Sequence, residues 1–284
     1  TLASLQNDES IDELITGFSE KEIEEIIGNA SGDIEEDEVP ELPEEAITQV
    51  GDLWLLGGHR LLCGDSTSEE DVARLMDGEK LSLMVTDPPY GVNYEGGEVN
   101  KKKREKLKND SDTRIFADFM RVASVFVPNG AWYIWHAGTK ALPVHEAIVA
   151  NGFSIRALII WHKLKAGYGA PSSHYCQKHE PCLYCVKGKA NFIGASNECT
   201  VWEYNQPRDN KLHPTQKPIE CMARPISNHE GDVYDPFMGS GTTLIACEQL
   251  NRQCYGMEID PLYCDVIVKR WENLTGEKAV LNDK

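Results

Sequence analysis

Two hydrophobic periods alternate along this chain. Compact apolar runs bounded by Gly, Pro or an acid are separated by segments whose apolar positions follow the turn of a helix. The runs Leu61-Leu62-Cys63, Leu81-Ser82-Leu83-Met84-Val85-Thr86, 131–135, 157–161, 181–186, Val233-Tyr234-Asp235 and Cys254-Tyr255-Gly256-Met257-Glu258 read as buried strands. Residues 69–76, 116–126, 144–150 and 244–250 carry the helical period. Strands alternating with helices predict an α/β fold built on a doubly wound, mostly parallel sheet. No internal repeat is visible.

The first fifty residues follow a different pattern. Ser19-Glu20-Lys21-Glu22 reads as a capping box that opens a short helix with Ile23, Ile26 and Ile27 as its apolar stripe. Gly28-Asn29-Ala30-Ser31-Gly32 stops it, and residues 33–45 form an acidic, proline-containing linker expected to be disordered or loosely held. The expected division is an acidic arm over 1–48 and a single larger domain over 49–284.

Charge sharpens that boundary. The 284 residues carry a formal charge of −18, unevenly spread along the chain. Residues 1–50 hold 16 acids against one lysine and so carry −15, while the remaining 234, with 30 acids and 27 bases, carry −3. A near-neutral body can still present a basic groove. Lys101-Lys102-Lys103-Arg104-Glu105-Lys106-Leu107-Lys108 supplies one such stretch, suited to phosphate contacts that position a duplex without reading it. Hydrophobic content of 41% fits a globular domain, and no apolar run approaches the ~20 residues that span a bilayer. Nine cysteines, an odd number without framework spacing, fit a reducing compartment and hence the cytoplasm. The chain begins at Thr1, so a processed, trimmed or partial protein is expected.

The chemistry gathers at strand ends. Asp87-Pro88-Pro89-Tyr90 follows the apolar run 81–86, so a buried strand stops at an acid, two prolines and an aromatic. The carboxyl edge of an open α/β sheet is where ligands bind. The prolines remove backbone donors and fix φ, leaving the Asp87 carboxylate and the Pro88 carbonyl as outward acceptors beside the flat face of Tyr90. That set suits an exocyclic amino group on a planar base. Val233-Tyr234-Asp235-Pro236-Phe237-Met238-Gly239-Ser240-Gly241-Thr242-Thr243 runs from a strand through a glycine loop into a helix, so backbone N–H groups can approach a ligand closely. Glu258 ends the next strand, 17 residues after Gly241, where a carboxylate can take ribose hydroxyls.

Together these residues resemble the amino-methylating DNA methyltransferases that use S-adenosylmethionine (SAM). Asp87 to Tyr90 matches the catalytic motif and Asp235 to Gly241 the SAM loop, with His213-Pro214-Thr215-Gln216-Lys217-Pro218 leading into it. Leu62-Cys63-Gly64-Asp65 resembles the short motif whose acid faces the SAM adenine, and Ile159-Ile160-Trp161-His162-Lys163 the strand whose aromatic lines the base pocket. The resemblance covers roughly residues 50 to 276, in the motif order of the β group, catalytic half before SAM half. It implies a Rossmann-like class I methyltransferase fold, circularly permuted, so that the glycine-loop strand arrives late. By the same resemblance Asp87, Pro88, Pro89 and Tyr90 are catalytic. Asp65, Thr215, Lys217, Asp235, Phe237, Gly239, Ser240, Gly241, Thr242 and Glu258 hold SAM, with Thr215 and Lys217 at its methionine end. Tyr90 and Trp161 flank the flipped base, while Lys101, Lys102, Lys103 and Arg104 meet DNA phosphates.

The implied activity is adenine-N6 methylation of DNA by a bacterial or phage-encoded enzyme of restriction–modification type. Cytosine-N4 methylation is the nearest rival, since both amines need the same acceptors, and a leading Asp leans toward adenine. A non-catalytic DNA-binding subunit is the rival from another class, opposed by complete motifs on both sides. No metal is expected: Cys182 and Cys185 lie three apart on a strand and so face opposite sides. The spacing Pro181-Cys182 echoes the cytosine-C5 nucleophile but lies away from the acceptor corner. Residues 161–212 form a small recognition segment, which implies low specificity, a short site, or help from a homodimer mate or an N-terminal domain. Residues 16–19, the short helix and Gly51-Asp52-Leu53-Trp54 resemble the joint in phage proteins fused to a ParB-like domain, expected here to precede the chain.

Overall fold

In the computed structural model the described residues are 38–89, 114–164, 174–205 and 216–282. They build one ten-stranded sheet with helices on both faces. In chain order the elements are β1 (Leu53–Leu56), β2 (His59–Cys63), α1 (Glu69–Met76), β3 (Leu83–Thr86), α2 (Arg114–Phe126), β4 (Gly130–Trp135), α3 (Ala141–Ala150), β5 (Ser154–Lys163), β6 (His179–Lys187), β7 (Val201–Tyr204), α4 (Ile219–Ser227), β8 (Val233–Asp235), α5 (Thr242–Gln249), β9 (Cys254–Glu258), α6 (Pro261–Thr275) and β10 (Val280–Asn282).

Across the sheet the order is β10-β1-β2-β9-β8-β3-β4-β6-β5-β7. The central strands β2, β9, β8, β3 and β4 are mutually parallel, as expected for strands joined by crossover helices. Antiparallel strands flank them: β1 and β10 on one side, β6 paired with β4 and β5 on the other. The strand feeding the glycine loop, β8, enters eighth in the chain and inserts at the centre of the sheet, the permuted arrangement. From β8 the chain steps to β9 on one side, and from β3 to β4 on the other. The gap between β8 and β3 is therefore the topological switch point.

Alternation along the strands divides the core in two. Leu83, Val85, Ala131, Tyr133 and Trp135 pack with α4, α5 and α6, whereas Met84, Trp132 and Ile134 pack with α1, α2 and α3. Each large apolar side chain buried this way contributes about 1.5–3 kcal/mol, so strand register is strongly determined. Gly130 opens β4 at φ 114°, and a Cβ there would lie 1.9 Å from the Ser82 carbonyl oxygen, so only glycine permits this close entry. Cys182 and Cys185 fall in the two different cores, on opposite faces of β6.

The sheet is wider than the apolar runs predict. The strands β1, β7 and β10 are short edge or near-edge elements: β7 and β10 pair with strands distant in sequence, while β1 forms a tight hairpin with β2 and carries β10 on its other side. Among the described residues no helix is long and apolar enough to cross a membrane.

Candidate active site

Four strand ends converge at the switch point. The turn after β2 carries Asp65, whose Oδ1 accepts from Thr67 N at 2.9 Å and Thr67 Oγ1 at 2.8 Å. Its own backbone N–H donates to Asp71 Oδ2 at 2.9 Å, and Ser68 caps α1 by accepting from Asp71 N. These local bonds fix the half-buried Asp65 beside the end of β9, where Cys63 pairs with Glu258.

Glu258 is half-buried and accepts two backbone donors: Gly239 N on Oε2 and Asp260 N on Oε1, both at 2.9 Å. Burial raises its carboxyl to about 7, against the pull of those N–H groups. The first bond ties the glycine loop to the acid one strand away. Gly239 (φ 53°) and Gly241 (φ 86°) both lie in the left-handed region, and a Cβ on Gly239 would meet nothing within 4 Å. The loop therefore leaves open space beside Gly239, as a cradle for a ligand requires. Gly241 instead packs against Ile267 of α6, its added Cβ lying 3.1 Å from that side chain.

Asp235 turns inward. It is 1% exposed and accepts from Thr86 Oγ1 (2.8 Å), Phe237 N (3.0 Å) and Thr243 Oγ1 (2.6 Å). Burial pushes its carboxyl up to about 6 despite those three donors. This corrects its expected place against the cofactor: it braces the loop from behind. Ser240 and Thr242 are also buried, and both are held by Arg270, whose Nη1 donates to Ser240 O at 3.0 Å and Thr242 Oγ1 at 3.3 Å. Phe237 is half-buried, edge-on to Phe119 with ring centroids 4.9 Å apart.

At the end of β3, Asp87 is half-buried and Pro88 buried. Lys217, from the segment entering α4, donates to Asp87 Oδ2 at 2.6 Å and lies 2.9 Å from Glu180 Oε2. Glu180 Oε1 in turn lies 2.5 Å from Lys163 Nζ. Burial would lower the Lys217 pKa, but Asp87 and Glu180 hold it above its ordinary value. Burial would likewise raise Glu180, yet the two ammoniums hold it down at about 2. Lys217 thus meets the Asp87 corner, with two carboxylates around one buried cation. His136, at the end of β4, is buried with Nδ1 3.0 Å from the Ala137 carbonyl. Burial lowers its pKa, and Nε2 has no hydrogen-bond partner among the described residues.

Trp161 is corrected as well. It is 1% exposed in the core, and its indole N–H donates to Tyr204 O at 3.1 Å, joining β5 to β7. It offers no open wall for a base. Tyr90, Lys101, Lys102, Lys103, Arg104 and Thr215 lie outside the described residues. Thr86, Thr243, Glu180, Lys163 and Arg270 belong to the site and were missed. The two threonines and Lys163 lie within the quoted runs and could have been found there, whereas Glu180 and Arg270 carry no local signal.

The comparisons with known proteins agree with this geometry. Residues 81–269 match the N6/N4 family described as DNA methylase, and residues 1–50 match the ParB-methyltransferase HTH domain. The chain belongs to the DNA methylase family, and it is a SAM-dependent DNA methyltransferase. It is 31% identical over 267 residues to the Type II methyltransferase M.Cfr9I of Citrobacter freundii, covering 76% of this chain and 88% of that protein. It is 26% identical over 249 residues to the DNA adenine methyltransferase YhdJ of Escherichia coli, covering 74% and 81%. The crystal structure of the M1.HpyAVI–SAM complex aligns with a TM-score of 0.58 at 27% identity, covering 74% of this chain and 97% of that one. The HTH match lies over the segment read above as an acidic arm with one short helix.

Proposed function

We propose that this protein transfers the methyl group of SAM to the N6 amino group of an adenine flipped out of DNA. One observation carries the reading. Asp87 directly follows β3 beside the strand that feeds the glycine loop, and the Thr86–Asp235 bond locks those two strand ends together. An acceptor corner and a loop with open space beside Gly239 thus share the switch point.

SAM supplies an electrophilic methyl on a sulfonium, and the residues present fit it. Gly239 leaves room for close approach, Glu258 offers a carboxylate to ribose hydroxyls, and Asp65 sits one strand further on for the adenine amino group. Phe237 packs at the edge of that cradle. Asp87 and the Pro88 carbonyl accept the two N–H bonds of the target amine, which draws its lone pair out of the ring and aims it at the methyl. Such positioning and acceptor placement supply several kcal/mol of barrier lowering. The target must leave the stack to reach this corner, and Tyr90 is its stacking partner. Thr215 and the basic residues Lys101, Lys102, Lys103 and Arg104 keep their proposed roles at the methionine end of SAM and on DNA phosphates.

Adenine is favoured over cytosine by the leading Asp of the corner and by the likeness to an adenine methyltransferase. Between Trp161 and His213, β6 and β7 are both sheet strands, so little chain is left to read a groove. Recognition is therefore short, or is completed by a second copy or a further domain. All nine cysteines are unpaired, which supports a reducing, cytoplasmic setting. The test is incubation with labelled SAM and unmethylated DNA, followed by digestion to nucleosides. Label in N6-methyladenine, lost in Asp87→Ala, is the expected result. Label in N4-methylcytosine would move the target base, and SAM binding without DNA labelling would end the reading.

A further inference from the structure

We infer that Lys217, anchored by Glu180, is a positioning residue for Asp87 that sets the direction of the catalytic carboxylate. The inference rests on the reading of Asp87 as the acceptor of the target amine. Lys217 is 3% exposed, and its ammonium bridges Asp87 Oδ2 at 2.6 Å and Glu180 Oε2 at 2.9 Å. Glu180, at the second position of β6, sits opposite Trp161 of β5 and holds Lys163 through its other oxygen. The four side chains form a charge-balanced row from the catalytic corner to the loop end of the β5–β6 hairpin.

Packing alone does not call for this row. Burying an ammonium is costly, and an unbranched apolar side chain of similar length would fill the space without that cost. The Lys217 cation stays charged because two carboxylates surround it. With Oδ2 held at 2.6 Å, the Asp87 carboxyl cannot turn about its Cβ–Cγ bond without losing that contact. An acceptor for an amine N–H must be aimed to within about 10–20°, and a carboxylate on a strand end needs outside support for that. Lys217 is that support, and Glu180 gives it a fixed origin on the sheet. The ring of Trp135 lies 5.2 Å from the Lys217 ammonium.

The experiment uses the full chain and two readouts: labelled-SAM affinity by equilibrium dialysis, and the single-turnover rate of methyl transfer to unmethylated DNA. Lys217→Met is expected to slow transfer about 100-fold, the cost of a small misplacement of a reacting group. Its SAM affinity, scaled to the active-site concentration found by dialysis, should stay within about threefold of the wild type. Lys217→Arg should restore part of the rate, and Glu180→Gln should slow transfer roughly tenfold with the same unchanged SAM affinity. A rise in SAM Kd that accounts for the lost rate would overturn the inference and return Lys217 to the cofactor. An unchanged rate in Lys217→Met would overturn it too, leaving a packing residue. Where Lys217→Met does not fold, Glu180→Gln and Lys217→Arg decide by the same split. A wild type that binds SAM but labels no DNA would overturn the methyltransferase reading and this inference with it. Labelling by the wild type with unimpaired variants would overturn this inference alone.

Discussion

Thr86 Oγ1 donates to Asp235 Oδ1 at 2.8 Å, a bond between residues 149 positions apart in sequence. It joins the last residue of β3 to the last residue of β8, so the acceptor corner and the cofactor loop cannot drift apart independently. Asp235 also holds Phe237 N and Thr243 Oγ1. Thr86→Val keeps the shape and removes the donor. We expect a loss of about 1–2 kcal/mol in urea denaturation, because the buried carboxylate loses one of its donors. Methyl transfer should slow more than SAM binding weakens; equal losses in both would mean the bond serves the loop alone.

The two loop glycines should respond differently to alanine. Gly239→Ala puts a methyl into open space at φ 53°, within the left-handed region, so stability should fall by only about 1–2 kcal/mol. SAM affinity should fall steeply if the cofactor takes that space as proposed. Gly241→Ala adds a Cβ 3.1 Å from Ile267 at φ 86°, so it should cost more stability than Gly239→Ala. Thermal unfolding with and without SAM separates the two effects, and the reverse ranking would show the cradle to be misplaced.

With Glu258 in its proposed place at the SAM ribose, SAM affinity is expected to depend on pH. Its carboxyl is raised to about 7 by burial, so a fraction is protonated at neutral pH and cannot accept from two ribose hydroxyls. Affinity should tighten about tenfold from pH 6 to pH 8 as the group ionises. The methionine amine of SAM titrates nearby, and Glu258→Gln serves as the control: the portion due to Glu258 should vanish in it. For folding the sign is opposite. Glu258 and Asp235 both have folded pKa values above their ordinary ones, so the folded state holds protons that the unfolded state has lost. Their contribution favours the fold below about pH 4 and is lost as pH rises toward about 6 for Asp235 and about 7 for Glu258. Asp235→Asn should flatten the lower part of that decline in a pH series of urea melts.

Arg270 holds the glycine loop from α6 through Ser240 O and Thr242 Oγ1. Arg270→Ala removes both bonds and a buried stem, so we expect roughly 3 kcal/mol of lost stability together with weaker SAM binding. Added SAM should recover part of the melting temperature. Arg270→Lys reaches with a single ammonium and should retain stability better than loop order, which hydrogen exchange at residues 239–242 would report.

The sequence by itself determined the strand–helix alternation, the acceptor corner at Asp87, the glycine loop, the acids Glu258 and Asp65, and the late arrival of the loop strand. Each is written in a contiguous stretch, where local backbone chemistry dictates a strand, a turn or a helix start. Facing could be read only where alternation decides it, as for Cys182 and Cys185 on opposite sides of β6. Tertiary structure decided which side chains meet. Lys217 met Asp87 and Glu180, Asp235 turned behind its loop, Trp161 went into the core, and Arg270 reached back 30 positions to Ser240. The edge strands β7 and β10 formed for the same reason. Long-range pairing depends on burial and on the charge that each group finds opposite it, and neither quantity exists until the sheet has closed around the switch point.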